Sequence, residues 1–168
     1  MNGVGRADPE AALERAVAAV SAVPDPEVPV LTIEELGILR GVDLGPADRL
    51  VVTITPTYNG CPAMDAIRAD VRAAAAEAGH PDAEVRTVLS PAWTTDWITE
   101  SGRAKLASAG IAPPPARRGG AVALALSVRC PLCGSPDTTE LSRFGSTACK
   151  ALWRCRGCGE PFDLVKAH

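Results

Sequence analysis

Four of the six cysteines in this 168-residue chain form two matched pairs, each with two residues between its members and a glycine directly after it. The two pairs are separated by 21 residues. Glycine after each pair lets backbone amides turn toward sulfur, and four thiolates supply the tetrahedral ligand set that zinc accepts without redox chemistry. The spacing therefore predicts a zinc ribbon with one structural zinc ion per chain, held by Cys130, Cys133, Cys155 and Cys158.

The four-cysteine pattern leaves two other chemistries open. Rubredoxin-type iron, or another iron–sulfur ligation, would use the same thiolates. Disulfides would staple the segment instead, although the cytoplasmic location that the composition indicates below disfavours them. Residues 129–168 contain so few apolar side chains that this segment would hardly fold without its metal.

Cys61 is the cysteine whose surroundings most favour reactivity. An apolar, β-branched run ends in a turn before it, and a helical pattern begins with Pro62, a residue type tolerated at the first helical position. Cys61 is therefore predicted to be a helix N-cap, where unpaired N–H groups and the helix dipole would lower the pKa of its thiol. Such a thiolate is a nucleophile or a soft-metal ligand. The alternative is a small buried residue that packs at a strand–helix junction.

Cys149 is the sixth cysteine and lies outside both pairs. A core or turn residue is the simpler interpretation. Its neighbours Ser146, Thr147 and Lys150 nonetheless form a polar loop that could contact a partner or lower the pKa of the thiol. Cys149 is therefore a candidate for a secondary functional site.

A proline-rich loop displays two carboxylates. Asp25 and Glu27 lie among three prolines over residues 24–29, which hold the backbone extended and exclude regular helix. The loop could be no more than a solvated turn between helices. A functional role requires the loop to lie near Cys61, and periodicity cannot show this.

The segments between these residues predict the elements that would position them. Capped or proline-led starts and glycine or proline stops mark the helices, and alternating apolar runs mark the strands. In chain order, we predict a helix after Asp8–Pro9 that ends before Pro24, a capping box at Thr32 and Glu35 stopped by Gly37, strands at 38–44 and 49–55 joined as a hairpin, a helix after Cys61 closed by residues 79–81, a strand at 83–90 and a helix at 98–109.

Two of the three tryptophans, Trp93 and Trp97, lie four residues apart before the last predicted helix. The simpler account is that they cover the edge of a small core. The alternative is a lid or docking surface near the Cys61 turn.

A proline- and glycine-rich segment divides the chain into two parts. Pro113–Pro115 form a stiff spacer and Gly119–Gly120 a hinge. Strand-like composition then recurs at 138–144, 151–154 and 161–165. The chain is therefore predicted to be α+β, with a small α/β domain of three strands and flanking helices at 1–112, a linker and lead-in strand at 113–128, and the zinc ribbon at 129–168.

Composition excludes several classes of protein. Hydrophobic residues make up 46% of the chain, yet no apolar stretch is long enough to span a bilayer, and the N-terminus lacks the order of a signal peptide. The net charge is −3, and residues 129–168 carry six basic and four acidic groups. That balance is not the basic footprint of a nucleic-acid-binding domain. We expect a soluble cytoplasmic protein that binds neither membranes nor nucleic acid.

The sequence lacks the usual signatures of an independent catalyst. It has no Gly-rich phosphate loop, no Gly-x-Ser-x-Gly elbow and no paired carboxylate–histidine helix. These absences favour a non-catalytic role.

Several short motifs recur in an order that is more specific than any one of them. They are the DPEVP run at 25–29, the LGI run at 36–38, the second strand ending at Thr57, the GCP run at 60–62 and the PAWT run at 91–94. This order resembles the MIP18 family (domain of unknown function 59), an α/β domain associated with iron–sulfur cluster assembly. The FGSTACKAL run at 144–152, the two cysteine pairs and the EPFD run at 160–163 are similar to PaaD-type D subunits of phenylacetyl-CoA epoxidase systems. The two resemblances cover nearly the whole chain.

The MIP18 resemblance implies a polar pocket formed by Asp25, Glu27, Thr57 and Cys61. Many members of that family have consecutive threonines shortly before the cysteine, whereas residues 58–59 here are tyrosine and asparagine. The resemblance thus places the acidic loop beside the thiol, which the local pattern alone could not do.

The PaaD resemblance implies an accessory protein of aerobic phenylacetate catabolism. Such a protein would help the di-iron oxygenase, or the iron–sulfur reductase, of the epoxidase system to acquire its metal centre. Cys61, with Asp25 or Glu27, would bind iron or an iron–sulfur fragment transiently while the ribbon docks the client. The oxygenase subunits or the reductase would be its partners, and a homo-oligomer is also open.

Three other functions stay open. A structural or regulatory subunit would bind the epoxidase without handling metal. A thiol enzyme would use Cys61 together with a nearby base or second thiol, although no histidine or cysteine adjoins Cys61 in the sequence. A nucleic-acid-binding ribbon has little support from the charge.

Overall fold

A computed structural model describes residues 9–114 and 128–166. Over these ranges the predicted α+β class is confirmed, and no helix among them is long and apolar enough to cross a membrane. The helices are α1 (Pro9–Ser21), α2 (Ala63–Glu77) and α3 (Glu100–Ser108), and the strands are β1 (Leu39–Leu44), β2 (Leu50–Ile54), β3 (Glu84–Thr87), β4 (Ile111–Ala112), β5 (Thr138–Ser142), β6 (Lys150–Cys155) and β7 (Pro161–Val165).

The three-stranded sheet predicted for the N-terminal part is present, in the order β1–β2–β3. β1 and β2 are antiparallel and β2 and β3 are parallel. Parallel neighbours need a crossover connection, which α2 supplies. The central strand β2 is almost entirely buried, with Val52 and Ile54 at 0% exposure. The chain that leaves its carboxyl end toward Cys61 therefore starts from the most rigid part of the sheet.

The capping box before β1 is confirmed. Glu35 N–H donates to Thr32 Oγ1 at 3.1 Å, and Thr32 N–H donates to Glu35 Oε2 at 3.2 Å. These bonds cap a single turn, because Gly37 adopts a φ of +75° directly after it and turns the chain into β1. The helix predicted near the N-terminus is α1, and its predicted cap, Asp8, lies outside the described residues.

The ribbon sheet has the order β4–β7–β6–β5. β5, β6 and β7 are the three predicted strands, paired antiparallel in sequence order. β4 was not predicted, because two residues are too few to show a period of two. It pairs in parallel with β7, Ile111 lying opposite Asp163. The predicted linker and lead-in strand fall mostly at 115–127, outside the described residues.

The two parts of the chain share buried contacts at their junction. The main apolar cluster of the N-terminal part continues into Cys149 and Val165, which are 8% and 4% exposed. A second cluster around Cys130, Cys155 and Phe162 fills the ribbon itself. The end of the ribbon that carries Cys149 therefore packs directly on the N-terminal core.

Candidate functional site

The four paired cysteines lie close enough together to hold one metal ion. The Sγ atoms of Cys130, Cys133, Cys155 and Cys158 all lie within 4.8 Å of one another, the one such cluster in the described part of the chain. The Sγ–Sγ distances are 3.8 Å between Cys130 and Cys158 and 3.5 Å between Cys133 and Cys155. Sulfur atoms bound tetrahedrally to zinc at about 2.3 Å lie about 3.8 Å apart. The donor set therefore fits a ribbon zinc ion, and four thiolates also accept iron.

Each cysteine pair is shaped by a left-handed glycine. Gly134 and Gly159 have φ values of +74° and +82°. They donate their N–H groups to the carbonyl oxygens of Cys130, at 2.9 Å, and Cys155, at 3.0 Å. In the second pair Cys158 N–H lies 3.4 Å from Cys155 Sγ, and this amide lowers the pKa of the Cys155 thiol. The turn thus favours the thiolate that a metal requires.

A cavity lies where the ribbon meets the N-terminal part. Its lining includes Asp25, Glu27, Thr57 and Cys61 from the first part and Cys149 from the ribbon. Its volume is about 20 Å³, which is room for about one water molecule or one ion. The structure therefore brings together the four residues assigned to a pocket by resemblance, and adds a second thiol from a distant part of the chain.

Asp25 shapes the acidic loop. The residue is 4% exposed, and its Oδ1 accepts the N–H groups of Glu27 at 2.9 Å and Val28 at 2.7 Å. Burial raises the pKa of the Asp25 carboxyl, and these two amides oppose the shift. A side chain bonded to amides two and three residues ahead fixes a turn. Asp25 therefore holds the loop in the conformation that brings Glu27 to the cavity.

Cys61 does not have the acidic N-cap thiol that the sequence predicted. Pro62 has helical dihedral angles and occupies the N-cap position, so α2 begins at Ala63. Burial raises the pKa of the Cys61 thiol, and the Glu27 and Asp25 carboxylates raise it further. The Ala63 amide and the Tyr58 hydroxyl lower it without reversing the shift. The prediction of a lowered pKa is wrong because the thiol is half-buried beside two acidic groups.

Cys149 lies inside the junction. Its Sγ is 3.5 Å from Glu27 Oε2 and 3.1 Å from Thr147 Oγ1. Burial raises the pKa of the Cys149 thiol to about 11, and the Glu27 carboxylate adds to the rise. The idea that the polar loop would lower this pKa is wrong, because the bond to Thr147 and the charge of Lys150 do not offset the burial. Cys149 is the core residue of the simpler interpretation, and it also lines the cavity.

Lys150 fastens the ribbon to the acidic loop. It is 7% exposed, and its Nζ donates to the Glu27 carbonyl oxygen at 3.3 Å and lies 3.8 Å from Asp163 Oδ2. A buried ammonium group needs such partners, because leaving it unpaired is costly. The relative positions of Glu27 and Cys149 therefore depend on a contact between the two parts of the chain.

A surface groove also reaches Cys61. It is lined by Cys61, Met64, Arg68 and Leu89 among others, and Leu89 is 59% exposed. Cys61 and Met64 line both this groove and the cavity. Cys61 therefore lies between the solvent side and the enclosed space.

The two tryptophans differ in role. Trp93 is 5% exposed, lines the cavity and donates its Nε1–H to the Leu36 carbonyl oxygen at 2.9 Å. This confirms that it covers the edge of the core. Trp97 is half-buried, and the guanidinium carbon of Arg40 lies 3.6 Å from its ring centroid.

Sequence reasoning missed the contribution of the ribbon to the cavity. Cys149 and Lys150 contact Glu27 across 122 and 123 positions of the chain, and no local pattern reports such a contact. One signal was available, since Lys150 begins an otherwise apolar strand start, Lys150–Ala151–Leu152. A lysine in that setting needs a buried partner or an exposed face.

Two family models match the chain, one in each part. Residues 13–89 match the model described as iron–sulfur cluster assembly protein, and residues 114–166 match the PaaD zinc beta ribbon domain. The predicted combination of the two is therefore confirmed.

Known proteins are similar to the whole chain and to its first part. A protein of Escherichia coli (strain K12), named as the putative D component of 1,2-phenylacetyl-CoA epoxidase and one of its subunits, is 48% identical over 150 residues, 89% of each chain. A protein of Porphyromonas gingivalis (strain ATCC BAA-308 / W83) named "Fe-S protein maturation auxiliary factor" is 34% identical over 83 residues, 49% of this chain and 78% of that one. The crystal structure of a domain of unknown function 59 from Bacillus anthracis matches with a TM-score of 0.52 at 28% identity, over 58% of this chain and 92% of that one.

Proposed function

This chain belongs to the PaaD-type family of epoxidase components, and from that premise we propose that it is a maturation subunit of a phenylacetyl-CoA epoxidase system. Its task is to hold iron, or a small iron–sulfur unit, and to pass it to a client within that system. The client is the di-iron oxygenase or the iron–sulfur reductase, and the oxidation of substrate takes place there.

One observation carries the proposal. Cys61 shares a cavity with the carboxylates of Asp25 and Glu27, in a domain that matches iron–sulfur assembly proteins. Thiolate and carboxylate oxygen are both iron donors. The cavity volume of about 20 Å³ admits an ion and is far too small for the acyl group of a coenzyme A ester, since organic ligands occupy much larger pockets.

The raised pKa of Cys61 supports temporary binding. Burial and the Glu27 carboxylate keep the thiol protonated when no metal is present. A metal must displace that proton to bind, so its affinity is lower than at a preformed thiolate. A cargo that has to leave again is better served by such a thiol than by the four-cysteine ribbon.

The test is maturation of the client. The oxygenase subunits and the reductase are co-expressed with wild-type chain, with Cys61→Ala or with no added chain, and the purified clients are assayed for iron, acid-labile sulfide and epoxidase activity. We expect Cys61→Ala to leave one client as iron-poor as omission of the chain does. Equal iron content and activity with Cys61→Ala and wild type would refute the proposal.

A second candidate is favoured by the name of the Escherichia coli relative, which assigns it to the epoxidase as one of its subunits. In this case the chain is a structural or regulatory subunit that handles no metal. It would co-purify with the epoxidase in fixed stoichiometry, and Cys61→Ala would change neither co-purification nor activity. The same co-expression set therefore separates the two functions.

A further inference from the structure

The carboxylate of Glu27 links the two thiols of the cavity. Its Oε2 lies 3.5 Å from Cys149 Sγ, and its charge raises the pKa of both Cys61 and Cys149. Cys61 and Cys149 line the same small cavity, although one follows β2 and the other precedes β6. Neither thiol belongs to the ribbon cluster.

The ribbon and the cavity occupy opposite ends of one strand. Cys149 directly precedes β6, and Cys155, a member of the four-cysteine cluster, is the last residue of β6. Lys166 N–H donates to the Cys149 carbonyl oxygen at 2.9 Å, which extends the pairing of β6 with β7 to the cavity. A metal that holds Cys155 in place therefore also fixes the position of Cys149.

We propose that the cavity binds one Fe²⁺ ion shared between the two parts of the chain, with Cys61 and Cys149 as thiolate ligands and Glu27 as a carboxylate ligand. The inference rests on the proposed function, because it takes iron as the cargo. It goes further in making the ribbon a ligand donor, so that the chain without its ribbon could not hold the ion.

The size and donor types of the cavity decide for a single ion. A volume of about 20 Å³ fits one ion and not a cubane cluster. Two sulfurs and a carboxylate form a mixed donor set of intermediate softness, which Fe²⁺ accepts. Binding displaces one proton from each thiol, and the resulting surplus of negative charge is opposed by Lys166, which lines the cavity.

The donors are too far apart to form a permanent site as they stand. Among the described residues, no three of Asp25, Glu27, Cys61 and Cys149 have donor atoms within 4.8 Å of one another, whereas the ribbon cysteines do. Side chains must therefore close around the ion, which costs affinity. Cys61 also lines the surface groove, so the ion can leave on that side.

The first experiment counts ions. Anaerobic full-length protein carrying one zinc per chain is incubated with Fe²⁺, desalted and analysed for zinc and iron. We expect one additional iron in wild type. Cys61→Ser, Cys149→Ser and Glu27→Gln should each weaken Fe²⁺ binding at least about tenfold, since even partners of metal ligands matter by that factor, with zinc unchanged. Glu34→Gln is the matched control, because Glu34 is an exposed carboxylate outside the cavity.

A second experiment needs no variant and so avoids any folding defect of Cys149→Ser. Co²⁺ is added to zinc-loaded wild-type protein, and the thiolate-to-cobalt charge-transfer absorption is compared with that of protein whose ribbon carries Co²⁺. The ribbon supplies four thiolates as an internal standard. We expect about half its absorption per ion from the cavity, because two thiolates bind there.

Each outcome decides the matter. One extra iron that depends on both cysteines, with half the ribbon absorption, supports the shared site. Iron that depends on Cys61 but not on Cys149, or a quarter of the ribbon absorption, overturns the shared site and leaves the maturation function standing. No extra iron in wild type also overturns it, and the co-expression assay then judges the maturation function separately.

Discussion

The proton on the Cys149 thiol contributes to the stability of the junction. Burial raises its pKa to about 11, above the ordinary value near 9. A thiol whose pKa is raised by folding stabilises the folded state while it is neutral. This contribution is complete below about pH 9 and is lost as the pH rises toward 11.

We therefore predict a loss of stability in mild alkali. Between pH 9 and 11, the free energy of unfolding of zinc-loaded, iron-free protein should fall by on the order of 2 kcal/mol more in wild type than in Cys149→Ser. Denaturant unfolding at fixed zinc content measures it. Parallel pH profiles for the two proteins would show that the thiol is ordinary.

Asp25 should matter through its shape and not through its charge. Its Oδ1 accepts two amide hydrogens, and Asn retains an oxygen there while Ala does not. We predict that Asp25→Ala lowers the free energy of unfolding by about 1–3 kcal/mol and weakens iron retention, and that Asp25→Asn is much milder. Urea unfolding and iron analysis of both variants provide the check. If Asn were as damaging as Ala, charge would be the decisive property.

The residue types of both sites could be predicted from the sequence, but the ionisation of the cavity thiols could not. Spacing was sufficient for Cys130, Cys133, Cys155 and Cys158, because a ribbon motif carries its own geometry. The pKa of Cys61 had the opposite sign, because the dominant cause is burial beside Glu27, and burial depends on contacts that are distant in the sequence.

At the scale of elements, Gly37 fixes how the capped turn enters β1. Its φ is +75°, and a Cβ atom placed on it would lie 2.6 Å from Trp97 Cβ and 2.7 Å from the Trp97 carbonyl oxygen. We predict that Gly37→Ala destabilises the protein by about 2 kcal/mol or more, from dihedral strain together with overpacking. Thermal unfolding measures the effect.

Gly79 offers the matched control. Its φ is +101°, and nothing lies within 4 Å of the place where a Cβ would stand. Gly79→Ala should therefore show the cost of the dihedral angle alone, which is about 1 kcal/mol. Equal effects of the two substitutions would mean that Trp97 can move aside at no cost.

Periodicity predicted most of the elements and little of how they pair. α1, α2, β1 and β2 appear where apolar spacing and caps placed them, with ends shifted by one or two residues. β3 is shorter than its predicted range, since only Glu84–Thr87 pairs with β2. The pairing of β4 with β7 joins residues about fifty positions apart, and no local signal specifies it.

At the scale of the molecule, the ribbon metal and the cavity should respond together. We predict that Cys133→Ser, which removes one ribbon ligand, loses zinc and makes Cys149 react with iodoacetamide at least about tenfold faster than the 8% exposed wild-type residue. Mass spectrometry of the labelled cysteine measures the rate. The Glu34→Gln protein should keep both zinc and a slow Cys149, and so should Cys133→Ser if the ribbon held its shape without metal.

The whole-molecule arrangement was the part least accessible from sequence. Glycine and proline at 113–120 indicate a flexible tether between modules, whereas Lys150, Cys149 and Val165 seal the ribbon onto the N-terminal core. Such a contact surface is made of single residues from separate elements. Each of them has an ordinary local explanation, so only the assembled structure reveals that they meet.

The short strand β4 bears on how the chain can be cut for laboratory work. A fragment that begins at Val128 would leave β7 with one side unpaired, and open strand edges invite pairing with other chains. Such a fragment should therefore aggregate, or recruit residues 111–112 when the N-terminal piece is supplied in trans. Two pieces broken inside 115–127 should instead reassociate as complementing halves, because each holds one side of the same strand pair.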